Sequence, residues 1–265
     1  MIKYNLENIK QELSTLSRFS KLLSKLDEVC PPADSFVFEA LFAYETMKSD
    51  LNFQYEVNVN PNNDKTVDFV YEEINKYKFC CELLSPDLSD TLKQATEPQS
   101  TDIEGVKSWE VVLESNHPNE HLRPEAQTIR LQEKLLEKIV KFPAPIDNVF
   151  CAVVVDCTNF HFGHFDPDDC HMVMYGRTKV PELQQFWGDS PILGLLNPLF
   201  GKKYADDFRT KMTAVIFVPK LDTNLLQNGF LILNHHRPNN HLRDFCTILK
   251  RYKVFHRLKY LPFPS

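Results

Sequence analysis

Apolar residues return every three or four positions at the start of the chain, through Ile2, Leu6, Ile9, Leu13, Leu16, Phe19, Leu23 and Leu26. That period predicts one long amphipathic helix over residues 4–29, stopped by Cys30-Pro31-Pro32. A lone apolar stripe needs a cover, which makes this helix a packing appendage or the seam of a homodimer. Asp34 or Ser35 then caps a second helix over residues 36–47, with Phe38, Leu41, Phe42 and Tyr44 on its apolar faces and Glu39 and Glu45 among them.

Beyond this helix the period shortens to two. Residues 52–59, 65–73 and 77–84 read as strands separated by short polar turns, which predicts an antiparallel meander. Residues 85–104 are polar and acidic, which predicts an exposed loop, and the SWEVVLES segment after it fits a helix or a strand equally well. Pro124 opens a helix of about 18 residues with Ile129, Leu136, Ile139 and Val140 on one stripe, stopped by Pro143. The nearly unbroken apolar run of residues 148–157 predicts a strand covered on both faces, so this helix and strand form the crossover of an α/β sheet. After it come a His- and Asp-rich loop, a strand-like HMVMYG, a helical piece near residues 180–187, a short helix over 204–211, and strands in MTAVIFVP and GFLILNHH.

These elements predict a single α/β domain with a central mixed β-sheet flanked by helices. Residues 1–32 are its N-terminal helical appendage, 33–158 its core and 159–265 a C-terminal extension of the sheet. A content of 43% hydrophobic and 12% aromatic residues is ample for one core. With 7 glycines against 17 prolines there is no glycine-rich phosphate loop, which removes most nucleotide-cradling functions. The 7 cysteines form no CxxC pair and lie mostly in apolar runs, as small buried hydrophobes of a reducing compartment do. No stretch approaches the ~18 apolar residues of a membrane span, so the expectation is a soluble cytoplasmic protein with no membrane partner.

A net charge of −6 disfavours a chain coated in phosphate contacts. The C-terminal end is locally basic, however, with Arg243, Lys250, Arg251, Lys253, Arg257 and Lys259 against Asp244 alone. Interleaved with Tyr252, Phe255 and Tyr260, the residues Arg251, Lys253 and Arg257 are candidates for contact with a nucleic-acid backbone; a solvated basic face is the plainer alternative.

Two acids interrupt the apolar meander. Asp68 stands between Val67 and Phe69, and Glu82 between Cys81 and Leu83. A carboxylate in such surroundings needs a cation, a proton or hydrogen bonds. A helix, a three-strand meander, a second helix and a strand, with acids in the first helix and in the second and third strands, resembles the restriction-endonuclease-like fold of the PD-(D/E)XK superfamily over residues 35–158. The resemblance implies a Mg²⁺-dependent nuclease that hydrolyses phosphodiester bonds of DNA or RNA, with Mn²⁺ as a substitute. It implies Asp68 and Glu82 as metal ligands, with Glu39 assisting from the first helix and Gln127 from the second.

The chain departs from that family at Leu84, where the third-strand motif carries a lysine. Lys78 shares the strand face but lies about 13 Å from Glu82 along the strand. Lys134, two turns beyond Gln127, is a candidate for a lysine moved onto the helix. The alternative to a nuclease is a non-catalytic scaffold used for binding or regulation, with Asp68 paired with a neighbouring lysine, capping a turn or facing solvent, Glu39 on an exposed helix face and Gln127 a plain helix former. A second constellation lies in TNFHFGHFDPDDCH, where His161, His164 and Asp166 are candidate transition-metal ligands, although their irregular spacing equally fits a solvated polar loop.

Overall fold

The computed structural model describes residues 4–28, 30–73, 76–86, 101–103, 106–108, 124–158, 160, 165–177 and 192–263. Its first part holds helices α1 (Leu6–Leu13), α2 (Ser20–Glu28) and α3 (Asp34–Lys48), then strands β1 (Gln54–Val57), β2 (Val67–Glu73) and β3 (Tyr77–Leu84). A small hairpin of β4 (Thr101–Ile103) and β5 (Val106–Ser108) precedes helix α4 (Pro124–Lys138), which ends in a 3₁₀ turn (Ile139–Lys141), and strand β6 (Val149–Asp156). Helix α5 (Pro167–Tyr175), the pair β7 (Gly176–Arg177) and β8 (Ile192–Leu193), helix α6 (Ala205–Lys211), strands β9 (Ala214–Val218) and β10 (Phe230–Leu233), helix α7 (Asn239–Leu249) and strand β11 (Lys259–Tyr260) follow.

One mixed sheet of 7 strands, in the order β1-β2-β3-β6-β9-β10-β11, organises the chain. The first three strands form the expected antiparallel meander. β6 then lies parallel to β3, with Glu82 beside Val153, and β9 lies parallel to β6. Parallel neighbours need a crossover, and α4 lies on that crossover between β3 and β6. β10 returns antiparallel to β9, and β11 closes the far edge parallel to β10.

Alternation along the strands divides the apolar residues between two faces. Phe79, Cys81 and Leu83 join Phe69, Phe150, Ala152 and Ile216 beneath α1, α2, α3 and α7. Cys80 and Leu84 join Cys151, Val153, Val155 and Phe217 beneath α4, α5 and α6. Leu84 is 6% exposed and packs in this second core.

Several expectations are corrected. The N-terminal segment is not one long helix: α1 ends at Leu13, the hydroxyls of Ser14 and Thr15 bond back to the carbonyls of Gln11 and Glu12, and a 3₁₀ turn over Ser17–Phe19 leads into α2. The break lets Ile9, Leu13, Phe19, Leu22 and Leu26 all reach the core that α3 covers, so the apolar stripe is spent inside the chain. HMVMYG is not a strand: all but its last residue, Gly176, belong to α5, because Asp166 accepts from the backbone N–H groups of Asp168 (2.8 Å) and Asp169 (3.1 Å) while Asp169 accepts from that of Asp166 (3.0 Å). This capping box, with Pro167 in the first turn, commits the following residues to a helix despite their β-branched and aromatic content. The expected exposed loop of residues 85–104 is not loop throughout, because Thr101–Ile103 form β4; the rest of it, apart from Ser85 and Pro86, and the helical piece at 180–187 lie outside the described residues.

Candidate functional site

Regular pairing between β2 and β3 runs from Glu73–Tyr77 to Phe69–Cys81 and stops there. The next residues along are Asp68 and Glu82. Their carboxylates replace the missing ladder: the Asp68 N–H donates to Glu82 Oε1 at 3.0 Å, and the Leu83 N–H donates to Asp68 Oδ2 at 2.8 Å. Each acid is thus fixed by the other's strand at the level where the strands part. Glu82 has no exposed surface.

Two lysines from the end of α4 meet these acids. Lys141 Nζ donates to Glu82 Oε1 and Oε2 at 2.9 and 2.8 Å and to Asp68 Oδ1 at 3.4 Å. Lys138 Nζ lies 3.0 Å from Glu82 Oε2 and 3.9 Å from Asp68 Oδ2. The switch from α-helix to 3₁₀ turn explains how both arrive, because residues three apart eclipse one another in a 3₁₀ turn. Leu131, Leu135, Leu136 and Ile139 anchor the helix in the core and the lysines reach past them, their side chains each 23% exposed.

Burial pushes the Glu82 carboxyl up from its ordinary value, the charge of Asp68 adds to this, and the two lysines partly offset it. Burial works against the Lys141 ammonium, but Glu82 and Asp68 outweigh it and its pKa rises. Glu39 approaches from α3, on the opposite face of the sheet. Burial raises its carboxyl to about 7; a hydrogen bond from Tyr55 opposes the rise, Asp68 adds to it, and Lys25 and Lys138 oppose it. Glu39 therefore lies within electrostatic range of both Asp68 and Lys138.

The other sequence candidates fall elsewhere. Gln127 is buried in the first turn of α4, ~16 Å of helix axis before Lys138, and is not brought to the acids. Lys134 pairs with Glu137 at 3.0 Å on the surface, and Lys78 pairs with Glu72 at 3.3 Å. Lys134, Lys138 and Lys141 nevertheless follow one helical stripe, so the spacing held the signal and the chosen lysine stood one turn too early. Asp166 is the cap of α5, while His161 and His164 lie outside the described residues. Arg251, Lys253 and Arg257 are exposed, and Arg251 reaches Glu73 at 3.8 Å, at the end of β2 away from Asp68. Among the described residues, no group of three or more His, Cys, Asp or Glu side chains converges in a way that could hold a metal ion. None of their helices is long and apolar enough to cross a membrane.

No family model, no curated protein and no solved structure matches this chain.

Proposed function

We propose that this chain is a divalent-metal-dependent phosphodiesterase acting on DNA or RNA, built on a restriction-endonuclease-like core whose lysine has moved from the third strand to the helix that follows. The observation that carries the proposal is the convergence of Asp68 and Glu82, from neighbouring strands, on the single ammonium of Lys141. A cation already stands between the two carboxylates, and their oxygens are the hard donors that Mg²⁺ or Mn²⁺ takes.

In this reading Asp68 and Glu82 hold the ion. A Mg²⁺ site with two carboxylates draws its remaining ligands from water and from substrate phosphate, so it needs no third acid. When bound, the ion supplies charge to the scissile phosphate and acidity to a coordinated water. The chain's own contribution is electrostatic and positional. Two acids and two lysines form a neutral quartet, and a divalent ion makes it positive, which favours a phosphate. Lys138 and Lys141, released from the carboxylates, then donate to the phosphate oxygens and orient the attacking water.

A second reading is a non-catalytic scaffold, favoured by the fact that the quartet is neutral and internally bonded without a metal. Calorimetric titration with Mn²⁺, together with cleavage of labelled single- and double-stranded DNA and RNA, separates the two. The nuclease reading expects saturable binding and cleavage that are both lost in Asp68→Asn. A wild-type protein with neither leaves the scaffold.

A further inference from the structure

A cleft of roughly 560 Å³ opens at the end of the sheet where β6 and β9 begin, lined by Pro145 and Pro198, by Arg209 and Arg237, and by Asp206, Thr210 and His236. It is removed from the acid cluster, because Lys78 stands beside Val149 at the start of β6 and Glu82 lies ~13 Å of strand further on. Arg209 is buried: its Nη1 donates to the carbonyls of Asn197 at 3.0 Å and Leu195 at 3.3 Å, and its Nη2 pairs with Asp206 Oδ1 at 2.6 Å. The Asp206 side chain is 96% exposed, so water screens the charge that it offers Arg209.

Arg237 has no carboxylate partner among the described residues. Its Nη1 donates to the Thr210 carbonyl and its Nη2 to His241 Nε2 at 3.4 Å, while its Nε is sealed from solvent and has no acceptor. Burial pushes the guanidinium's pKa down, opposed by Cys151 and, from beyond ion-pair distance, by Asp147. His241 is a neutral acceptor, because burial and then the charge of Arg237 hold its pKa down at about 4. The Thr213 hydroxyl donates to the same His241 nitrogen at 3.0 Å and accepts from the Cys151 N–H at 3.1 Å, which ties the seat of Arg237 to β6. A charge taken out of water needs a counter-charge, and a buried N–H without an acceptor marks a shell that the chain does not complete. Two guanidiniums in one cleft, answered by one water-screened carboxylate, leave positive charge that the protein itself does not balance.

We propose that Arg237 and Arg209 bind the phosphate of a small phosphate monoester whose organic part lies against Pro145 and Pro198. The fork of a guanidinium matches phosphate and carboxylate alike, so the count of charges makes the choice. A phosphate dianion balances both arginines and displaces the exposed Asp206 from Arg209, whereas a single carboxylate only repeats what Asp206 already supplies. Both prolines are exposed, and their rings offer apolar surface that free phosphate cannot use. The site does not depend on the metal-dependent reading above.

The test is calorimetric titration with phenyl phosphate, inorganic phosphate and benzoate, with a thermal melt of each protein. The proteins are the wild type, Arg237→Met, Arg237→Lys, Asp206→Asn and the triple variant R251A/K253A/R257A, which removes the basic surface elsewhere. The expected result is saturable binding of phenyl phosphate, with inorganic phosphate severalfold weaker and benzoate weaker still. Affinity for phenyl phosphate should fall roughly thirtyfold or more in Arg237→Met, the loss for truncating one side of a desolvated charge pair. It should fall less in Arg237→Lys, which keeps the charge and loses the fork, rise in Asp206→Asn, where the competing carboxylate is gone, and stay unchanged in the triple variant. No saturable binding to the wild type, or wild-type affinity in a folded Arg237→Met or Arg237→Lys, overturns the proposal. Benzoate bound as tightly as phenyl phosphate overturns the choice of phosphate, and inorganic phosphate bound as tightly as the ester overturns the part given to the prolines.

Discussion

The ammonium of Lys141 grips both carboxylate oxygens of Glu82, at 2.9 and 2.8 Å, and Glu82 has no exposed surface. Removing one partner of such a pair strands a buried charge, whereas removing both often restores stability. Lys141→Met is expected to destabilise the protein by about 2–4 kcal/mol, with E82Q/K141M recovering part of the loss. Lys134→Met, on the same stripe but at the surface, should stay within about 0.5 kcal/mol of wild type. Urea unfolding of the set checks this; equal losses from Lys134→Met and Lys141→Met would contradict the geometry.

The raised carboxyl of Glu39 makes stability depend on pH. Its value is about 7 in the fold, against 4.5 ordinarily, so between these values the folded state holds more protons than the unfolded state. Stability must therefore fall as pH rises through that window and level off above it. Tyr55, Asp68, Lys25 and Lys138 are the polar and charged groups that act on it. Glu39→Gln carries no such titration. Relative to wild type it should gain on the order of 2 kcal/mol between pH 5 and pH 8, read from denaturant curves at the two pH values. A constant difference between the two proteins would show that Glu39 is ionised throughout.

Asp166 stands among the candidate metal ligands of the His- and Asp-rich segment, yet its carboxylate caps α5. Asp166→Ala should cost about 1 kcal/mol, the usual loss for an N-cap. Mn²⁺ affinity should not change, which calorimetry checks alongside the melt.

The basic C-terminal residues lie at the other end of β2. Arg251 contacts Glu73, which is ~17 Å of strand from Asp68. The triple variant R251A/K253A/R257A should accordingly bind Mn²⁺ with wild-type affinity. A loss of metal binding in that protein would mean that this surface and the acid cluster communicate.

Much of the architecture follows from local pattern. The period of two across residues 52–84 marks the meander, the flanking apolar residues mark Asp68 and Glu82 as acids in need of partners, and the apolar run at 148–157 marks a strand buried on both faces, because all of these depend on neighbours in sequence. What local pattern misjudged was settled by short-range hydrogen bonds that hydropathy does not register: the hydroxyls that end α1 at Leu13, and the capping box that makes HMVMYG helical.

The sequence alone determined that two carboxylates would lie in an apolar sheet beside a lysine-bearing helix. Only the tertiary structure decided which lysines answer them. That choice depends on where α4 tightens into a 3₁₀ turn and on how Leu131, Leu135 and Ile139 seat it against the sheet. A lysine's long side chain reaches many places, and packing between elements far apart in sequence selects one.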